Sequence, residues 1–270
     1  MNMQTAISPA AELPLMLPTR PAMRYNFPRA WRHFKNLVKD KENTAEVAPI
    51  FESLPWTGAY EAAKKFLTSE RGKAIRDSEP CLVEILDDHE TLRKLPAGSL
   101  AHVYCDFMER EGLSAQGLVD ELNTYRSPDM YFNDQVDWYF RRMRDTHDLL
   151  HVLTGFGRDA LGEQCVLAFT YSQQPALAHL FLGYAGAVEI AKRKTVKVPV
   201  FRAVREAQKL GKICPRLVEM PIRELLAMQY EDARRYLGMT EPRYYRQAHA
   251  MWRAAGVDPY DLMAPVQQAA

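Results

Sequence analysis

The sequence predicts an all-α protein, built as a single multi-helix domain. After Arg29, apolar residues recur at the three-to-four spacing of a helix in segment after segment. No run alternates as a half-buried strand does, and capping residues stand at several of the expected helix ends. With 270 residues, 47% of them hydrophobic and 26% charged, the chain has apolar material for a core, which excludes wholesale disorder and low-complexity architectures.

In chain order, residues 1–27 hold Pro9, Pro14, Pro18 and Pro21 with little periodicity and read as a flexible proline-containing arm. The helical domain is expected over 28–262, with a short tail at 263–270. Segments 45–54 and 60–67 rest on apolar spacing alone. Ser99 precedes 100–111 as an N-cap and Gly112 follows it, and 115–124 comes next. The spacing then predicts one unbroken helix over 135–153, ended by Gly155. Asp159 precedes 160–171, and 176–192 is apolar nearly all round. The last three segments, 200–210, 222–237 and 243–255, are followed by Gly211, Gly238 and Gly256.

A net charge of +1 argues against a general nucleic-acid binder, which needs a basic excess against phosphates. Cys81, Cys105, Cys165 and Cys214 lie far apart, without the C-x-x-C spacing of zinc or redox sites, so free thiols in a reducing compartment are expected. The first 19 residues contain no Lys or Arg, unlike a secretory n-region or an Arg-rich presequence. The longest apolar stretch, 175–188, is too short to span a bilayer and contains His179.

The most informative stretch reads His147-Asp148-Leu149-Leu150-His151, then eleven residues, then Glu163. At about 100° per residue, His147 and His151 are separated by roughly 40° and Asp148 lies roughly 100° from His147. Histidines on adjacent turns can converge on a divalent ion, and imidazole suits zinc or iron. If Gly155 and Gly157 end this helix and Asp159 caps an antiparallel successor, Glu163 faces His151 at similar height. That gives the expected fold its centre, a metal site between two consecutive antiparallel helices. The bland alternative is a solvated helix face. A zincin protease is the chemical rival, but Asp148 is one methylene shorter than the glutamate that acts as base in H-E-x-x-H.

On this motif the sequence resembles the coenzyme Q (ubiquinone) biosynthesis family numbered fourth in its series, Coq-four. The likeness extends over about residues 30–260, through Gly98-Ser99-Leu100, the 138–144 lead-in and the 222–238 segment. Carried over position by position, the family's proposed ligands fall on His147, Asp148, His151 and Glu163. The proline-rich arm is a departure from the family. The resemblance implies an all-helical fold, a polyprenyl-lipid site beside the metal, peripheral membrane attachment and association with other ubiquinone-pathway enzymes. It also implies removal of the ring carboxyl at C1 of a 4-hydroxy-3-methoxy-5-polyprenylbenzoate, with hydroxylation of that carbon. The expected cofactor is a divalent metal, with zinc favoured and iron(II) as the alternative: four protein ligands suit zinc, two histidines and a carboxylate suit ferrous iron. The expected location is the cytoplasmic side, peripheral on the inner face of the membrane in a bacterial context, and a homodimer is among the expected assemblies.

The greasy 176–188 segment is the candidate lipid channel, with small or slender residues at Ala178, Leu182, Gly183 and Gly186 leaving room for a tail. The competing account is a central core helix. Lys192, Arg193, Lys194 and Lys197 follow and could meet anionic headgroups, or be solvated helix-end cations. Arg144, one turn before His147 on the expected helix, is the candidate clamp for the substrate carboxylate, or else an ion pair with Asp148. His33, His89, His102, His179 and His249 lie apart from the cluster and read as surface or satisfied interior histidines, and Tyr244, Tyr245 and Trp252 as aromatic packing. Two other functional classes stand beside the enzyme: a non-catalytic lipid-binding organiser of the ubiquinone biosynthetic enzymes, and a metal hydrolase.

Overall fold

The computed structural model describes residues 13–39, 44–125, 132–193 and 196–262. Among them the regular structure is helical and no strand occurs; the β-type pairing is an isolated bridge between Ser99 and Gln229. The helices are α1 (Phe27–Lys39), α2 (Val47–Ser53), α3 (Ala59–Leu67), α4 (Glu70–Ser78), α5 (Leu82–Asp87), α6 (His89–Leu92), α7 (Leu100–Glu111) and α8 (Ala115–Tyr125). Then follow α9 (Gln135–Asp145), α10 (His147–Thr154), α11 (Ala160–Gln173), α12 (Leu177–Lys192), α13 (Val200–Ile213), α14 (Ile222–Ala227), α15 (Tyr230–Tyr236) and α16 (Arg243–Ala254).

The chain clusters into two compact units, one of residues up to Asp148 with Arg216–Ala233, the other of Leu149–Pro215 with the residues from Arg234 on. The first unit packs α3 against α9, burying Ala63, Phe66, Leu67, Val136, Trp138 and Tyr139 together with Val218. Arg142 threads this core: its Nε donates to the Val218 carbonyl at 2.9 Å and its Nη2 to that of Met220 at 2.6 Å, and it pairs with buried Glu79. In the second unit α11 packs on α12 and α13, and α13 on α16. Gln173 donates to the Gly211 and Cys214 carbonyls, satisfying acceptors that the end of α13 leaves without an intrahelical partner.

The expected arm is structured in its second half. Gln135 and Val136 donate their backbone N–H groups to the Pro14 and Leu15 carbonyls, and Arg20 grips buried Asp134 with two contacts of 2.6 Å. Leu15 and Met16 lie against the core. An arginine that meets a buried carboxylate through two nitrogens fixes its own backbone, which prolines and low periodicity do not announce. Residues 1–12 of the arm and the expected tail at 263–270 lie outside the described residues.

Two expected helices are each divided. The helix over 135–153 breaks at Thr146, which sits at φ −82°, ψ 0° between α9 and α10. The helix over 222–237 breaks where Met228 is extended: its carbonyl accepts from Leu100 N–H at 2.8 Å, while Tyr230 N–H donates to the Gly98 carbonyl. Helices α1, α4, α5 and α6 are additions to the reading from sequence. Ser99 and Asp159 cap α7 and α11 as expected.

Candidate metal centre

The site is built along the continuous stretch from α10 to α11. Gly155 takes the left-handed φ of +74° that ends α10, and its N–H donates to the His151 carbonyl at 3.0 Å. That turn carries the Phe156 carbonyl to 3.0 Å from His151 Nδ1. A carbonyl can only accept, so Nδ1 carries the proton and Nε2 presents its lone pair. The same carbonyl fixes the ring plane, and His151 is 2% exposed.

Asp159 then starts α11, accepting at Oδ1 from Leu161 and Gly162 N–H groups. Its Oδ2 accepts a short hydrogen bond from the Tyr245 hydroxyl, which itself accepts from Gly157 N–H at 2.9 Å, and His249 Nε2 lies 3.1 Å from Oδ1. Burial alone would raise the Asp159 carboxyl, but the His249 and Tyr245 contacts outweigh it and hold the group below the usual carboxylate range. Burial and the Asp159 charge push the Tyr245 phenol up, keeping it a donor. Gly162 has a steric reason: a Cβ there would sit 1.9 Å from the Gly157 carbonyl oxygen. The connection is thus closed tightly enough to bring Glu163, in the first turn of α11, back toward α10.

The outcome is a cluster. One ligand atom each from His147, His151 and Glu163 lie within 4.8 Å of one another. His151 Nε2 stands 3.6 Å from Glu163 Oε1, and the Glu163 side chain is 34% exposed, so the cluster is reachable from solvent.

Asp148, the fourth expected ligand, stands outside this group. One residue beyond His147 its side chain turns about 100° away around the helix. It is 7% exposed, and after burial its charge is the next cause raising the Tyr104 phenol.

Arg144 stands on α9, ahead of the turn at Thr146. Its Nε pairs with Asp145 Oδ1 at 2.7 Å. It lines a cavity of about 260 Å³ with Cys81, Trp138, Arg141, Arg142 and Asp145.

On α12, the small residues are filled positions. A Cβ at Gly183 would stand 3.3 Å from the Gln164 carbonyl oxygen, and one at Gly186 would meet the Gln164 side chain at 2.3 Å. Ala178 is fully buried and Leu182 partly so. Gly183 and Gly186 let α12 approach α11 closely, so the space beside these two glycines is taken by the neighbouring helix. Lys192 pairs with Glu189, and Lys194 lies outside the described residues.

Sequence reasoning missed the supports of this centre: the Phe156 carbonyl, Gly162, and the hydroxyl and imidazole of Tyr245 and His249. The last two reach Asp159 from α16 and carry no local spacing signal.

Two imidazole nitrogens and one carboxylate, with no sulfur among them, suit a divalent ion such as zinc or ferrous iron, and three protein donors leave a position for water or substrate. Fold and site thus define an all-helical protein with a His–His–Glu cluster able to hold such an ion. The chain belongs to the coenzyme Q (ubiquinone) biosynthesis protein Coq4 family, whose sequence pattern matches residues 34–243. It is 24% identical over 197 residues to the mitochondrial ubiquinone biosynthesis protein coq4 of Talaromyces stipitatus, covering 72% of this chain and 64% of that one. The counterpart from Kluyveromyces lactis is 26% identical over 207 residues, 74% of this chain and 58% of that one. With Podospora anserina the identity is 30% over 114 residues, 42% of this chain and 35% of that one. The matches thus span between about a third and two thirds of these relatives' own length. A crystal structure of a protein assigned to ubiquinone biosynthesis, from Nostoc punctiforme, shares the fold. Its TM-score is 0.53 at 22% identity, over 79% of this chain and 98% of that one.

Proposed function

We propose that this chain acts in ubiquinone biosynthesis as a metal-dependent enzyme that removes the C1 carboxyl of a polyprenylated 4-hydroxybenzoate and hydroxylates that carbon. Family membership supports the pathway. The observation that carries the enzymatic reading is the His147–His151–Glu163 cluster, with His151 Nδ1 tied to the Phe156 carbonyl and Nε2 turned toward Glu163. A catalytic site needs a reachable open position, whereas structural zinc is usually closed and cysteine-rich.

His147, His151 and Glu163 would hold the ion, which when bound supplies Lewis acidity that neutralises the substrate carboxylate and orients the ring. The Phe156 carbonyl keeps His151 in the ligating tautomer, and Asp159 holds the start of α11 so that Glu163 stays opposed to it. With dioxygen as the oxidant the step balances: a 4-hydroxybenzoate-type ring and O₂ give the para-quinone, CO₂ and water. The bond from C1 to the carboxyl carbon breaks, a C1–O bond forms, and the ring supplies the electrons. With Arg144 held by Asp145, a clamp from that residue is not part of the proposal. A polyprenylated substrate brings the protein to a membrane surface and to the neighbouring enzymes of the pathway. Among the described residues no helix is long and apolar enough to cross a membrane.

The test is a C1-decarboxylation assay on purified protein with a short-prenyl 4-hydroxy-3-methoxybenzoate and oxygen, comparing wild type, metal-stripped and His151→Ala protein after elemental analysis. Product from the metal-loaded wild type alone supports the proposal. A folded, metal-loaded protein that binds the prenylated ring without turnover would make the chain an organiser instead.

A further inference from the structure

Helix α1 is amphipathic in an unusual sense, because its apolar stripe faces solvent. At about 100° per residue, Phe27, Trp31, Phe34 and Val38 fall within roughly 60° of one another. Phe27 is 58%, Trp31 55% and Val38 41% exposed, and Tyr25, packed on Phe27 at 5.5 Å, extends the patch. The helix is attached by a different side: Ala30 is buried and His33 meets Glu46 at 2.6 Å, where α1 packs beside α2. Lys35, Lys39 and Arg32 occupy the sector about 70–130° from the centre of the stripe, on the flank away from that attachment. All three are exposed, as is Arg24, and among the described residues none of the four makes an ion pair.

Charge says what covers this face. Residues 24–39 carry Arg24, Arg29, Arg32, Lys35 and Lys39 and no acid. Even with Asp40, Lys41 and Glu42 counted, residues 24–43 keep a net +4. A second copy of the same face would set those cations against each other. Arg29 pairs with Glu52, but aromatic rings beside the exposed cations Arg24, Arg32, Lys35 and Lys39 match the boundary of an anionic bilayer, where Trp and Tyr settle at headgroup level and each Lys or Arg adds attraction. At 13 residues the helix is about 20 Å long, suited to lie in the interface and too short to cross it.

We propose that the face of α1 bearing Phe27, Trp31, Val38, Lys35 and Lys39 is the surface by which this chain binds an anionic lipid headgroup layer. The inference rests on the reading that the protein works at a membrane, and it names the element that meets it. The occupant is the bilayer surface, with the rings of Phe27 and Trp31 at the acyl boundary and the lysines among the headgroups. Binding falls with added salt, because the cationic contribution is screened.

Co-sedimentation of the full chain with vesicles of phosphatidylcholine, alone or mixed with phosphatidylglycerol, tests this. Three variants are compared: Phe27→Ser/Trp31→Ser, Lys35→Glu/Lys39→Glu, and Lys192→Ala/Lys197→Ala. Wild type is expected to bind the mixed vesicles. The stripe variant should lose about tenfold or more in partitioning, and the charge variant about 25-fold or more, at roughly fivefold per cation. The Lys192/Lys197 variant should bind as wild type. Every substituted side chain in the first two variants is exposed, so melting temperature and metal content should not move. Wild type that binds while both α1 variants bind equally well overturns the assignment of α1 and leaves the membrane reading standing. Wild type that ignores anionic vesicles overturns both. A dimeric wild type that the stripe variant converts to monomer, by light scattering, gives the face to a second copy and also overturns the proposal.

Discussion

His151 has its two ring nitrogens committed to different tasks, one to the Phe156 carbonyl and the other facing Glu163. Replacing Glu163 with Gln keeps the shape but removes the anionic donor. Isothermal titration with zinc should then show affinity lower by at least the roughly 10–100-fold that loss of an outer-shell partner costs, with circular dichroism unchanged. An unaltered affinity would remove Glu163 from the ligand set. Tyr245→Phe tests the support from α16. It leaves the Gly157 N–H without its hydroxyl acceptor and Asp159 Oδ2 without its donor, so chemical denaturation should report a loss of about 1–3 kcal/mol. Metal affinity should fall with it, because the start of α11 loosens.

At the scale of the helix, α12 shows how one pattern admits two meanings. Small residues in an apolar segment signal either a cavity or a close helix contact, and spacing cannot separate them because both want Gly on the facing side. Gly183 decides for contact, with its missing Cβ 3.3 Å from the Gln164 carbonyl and 3.5 Å from Leu167 Cβ. Gly183→Leu should therefore overpack the α11–α12 contact and lower stability by about 1–3 kcal/mol; a melting temperature equal to wild type would restore the channel. The breaks at Thr146 and Met228 escaped the periodicity for a related reason. Apolar spacing resumes on the far side of each break nearly in register, so the sequence reads straight through. At Met228 the interruption comes from backbone pairing with residues 98–100, more than a hundred positions away.

For the molecule as a whole, the segment ahead of α1 contributes to stability through Arg20. The guanidinium holds Asp134, which is 0% exposed, and stands 4.2 Å from the Phe132 ring centroid. Burial alone would raise the Asp134 carboxyl, but the bond from Arg20 and the N–H groups of Leu17 and Asp137 hold it below the usual value. A depressed carboxylate contributes stability that is full above its unfolded pKa, near 3.9. That contribution is lost as pH falls through the folded value. Arg20→Ala leaves a buried charge without its partner, so unfolding at neutral pH should show a loss of about 3 kcal/mol. The variant should also lose less stability than wild type as pH falls below about 4, because less of its stability rests on the ionised Asp134 carboxylate. Equal acid-unfolding curves would show that the segment adds little.

Local pattern alone carried the helical class, most helix positions from 45 onward, the caps at Ser99 and Asp159, and His147, His151 and Glu163 as three of the four expected ligands. Each of these depends on residues within a few turns of one another, where a period of 3.6 and the chemistry of a cap or ligand are local properties. The fold in three dimensions decided that Arg144 pairs with Asp145 and that Gly183 and Gly186 are packing sites. It also decided that Tyr245 and His249 hold Asp159, and that the stripe on α1 faces outward. Those outcomes depend on which distant segment fills the space beside a residue, and a one-dimensional pattern carries no record of its neighbours in space.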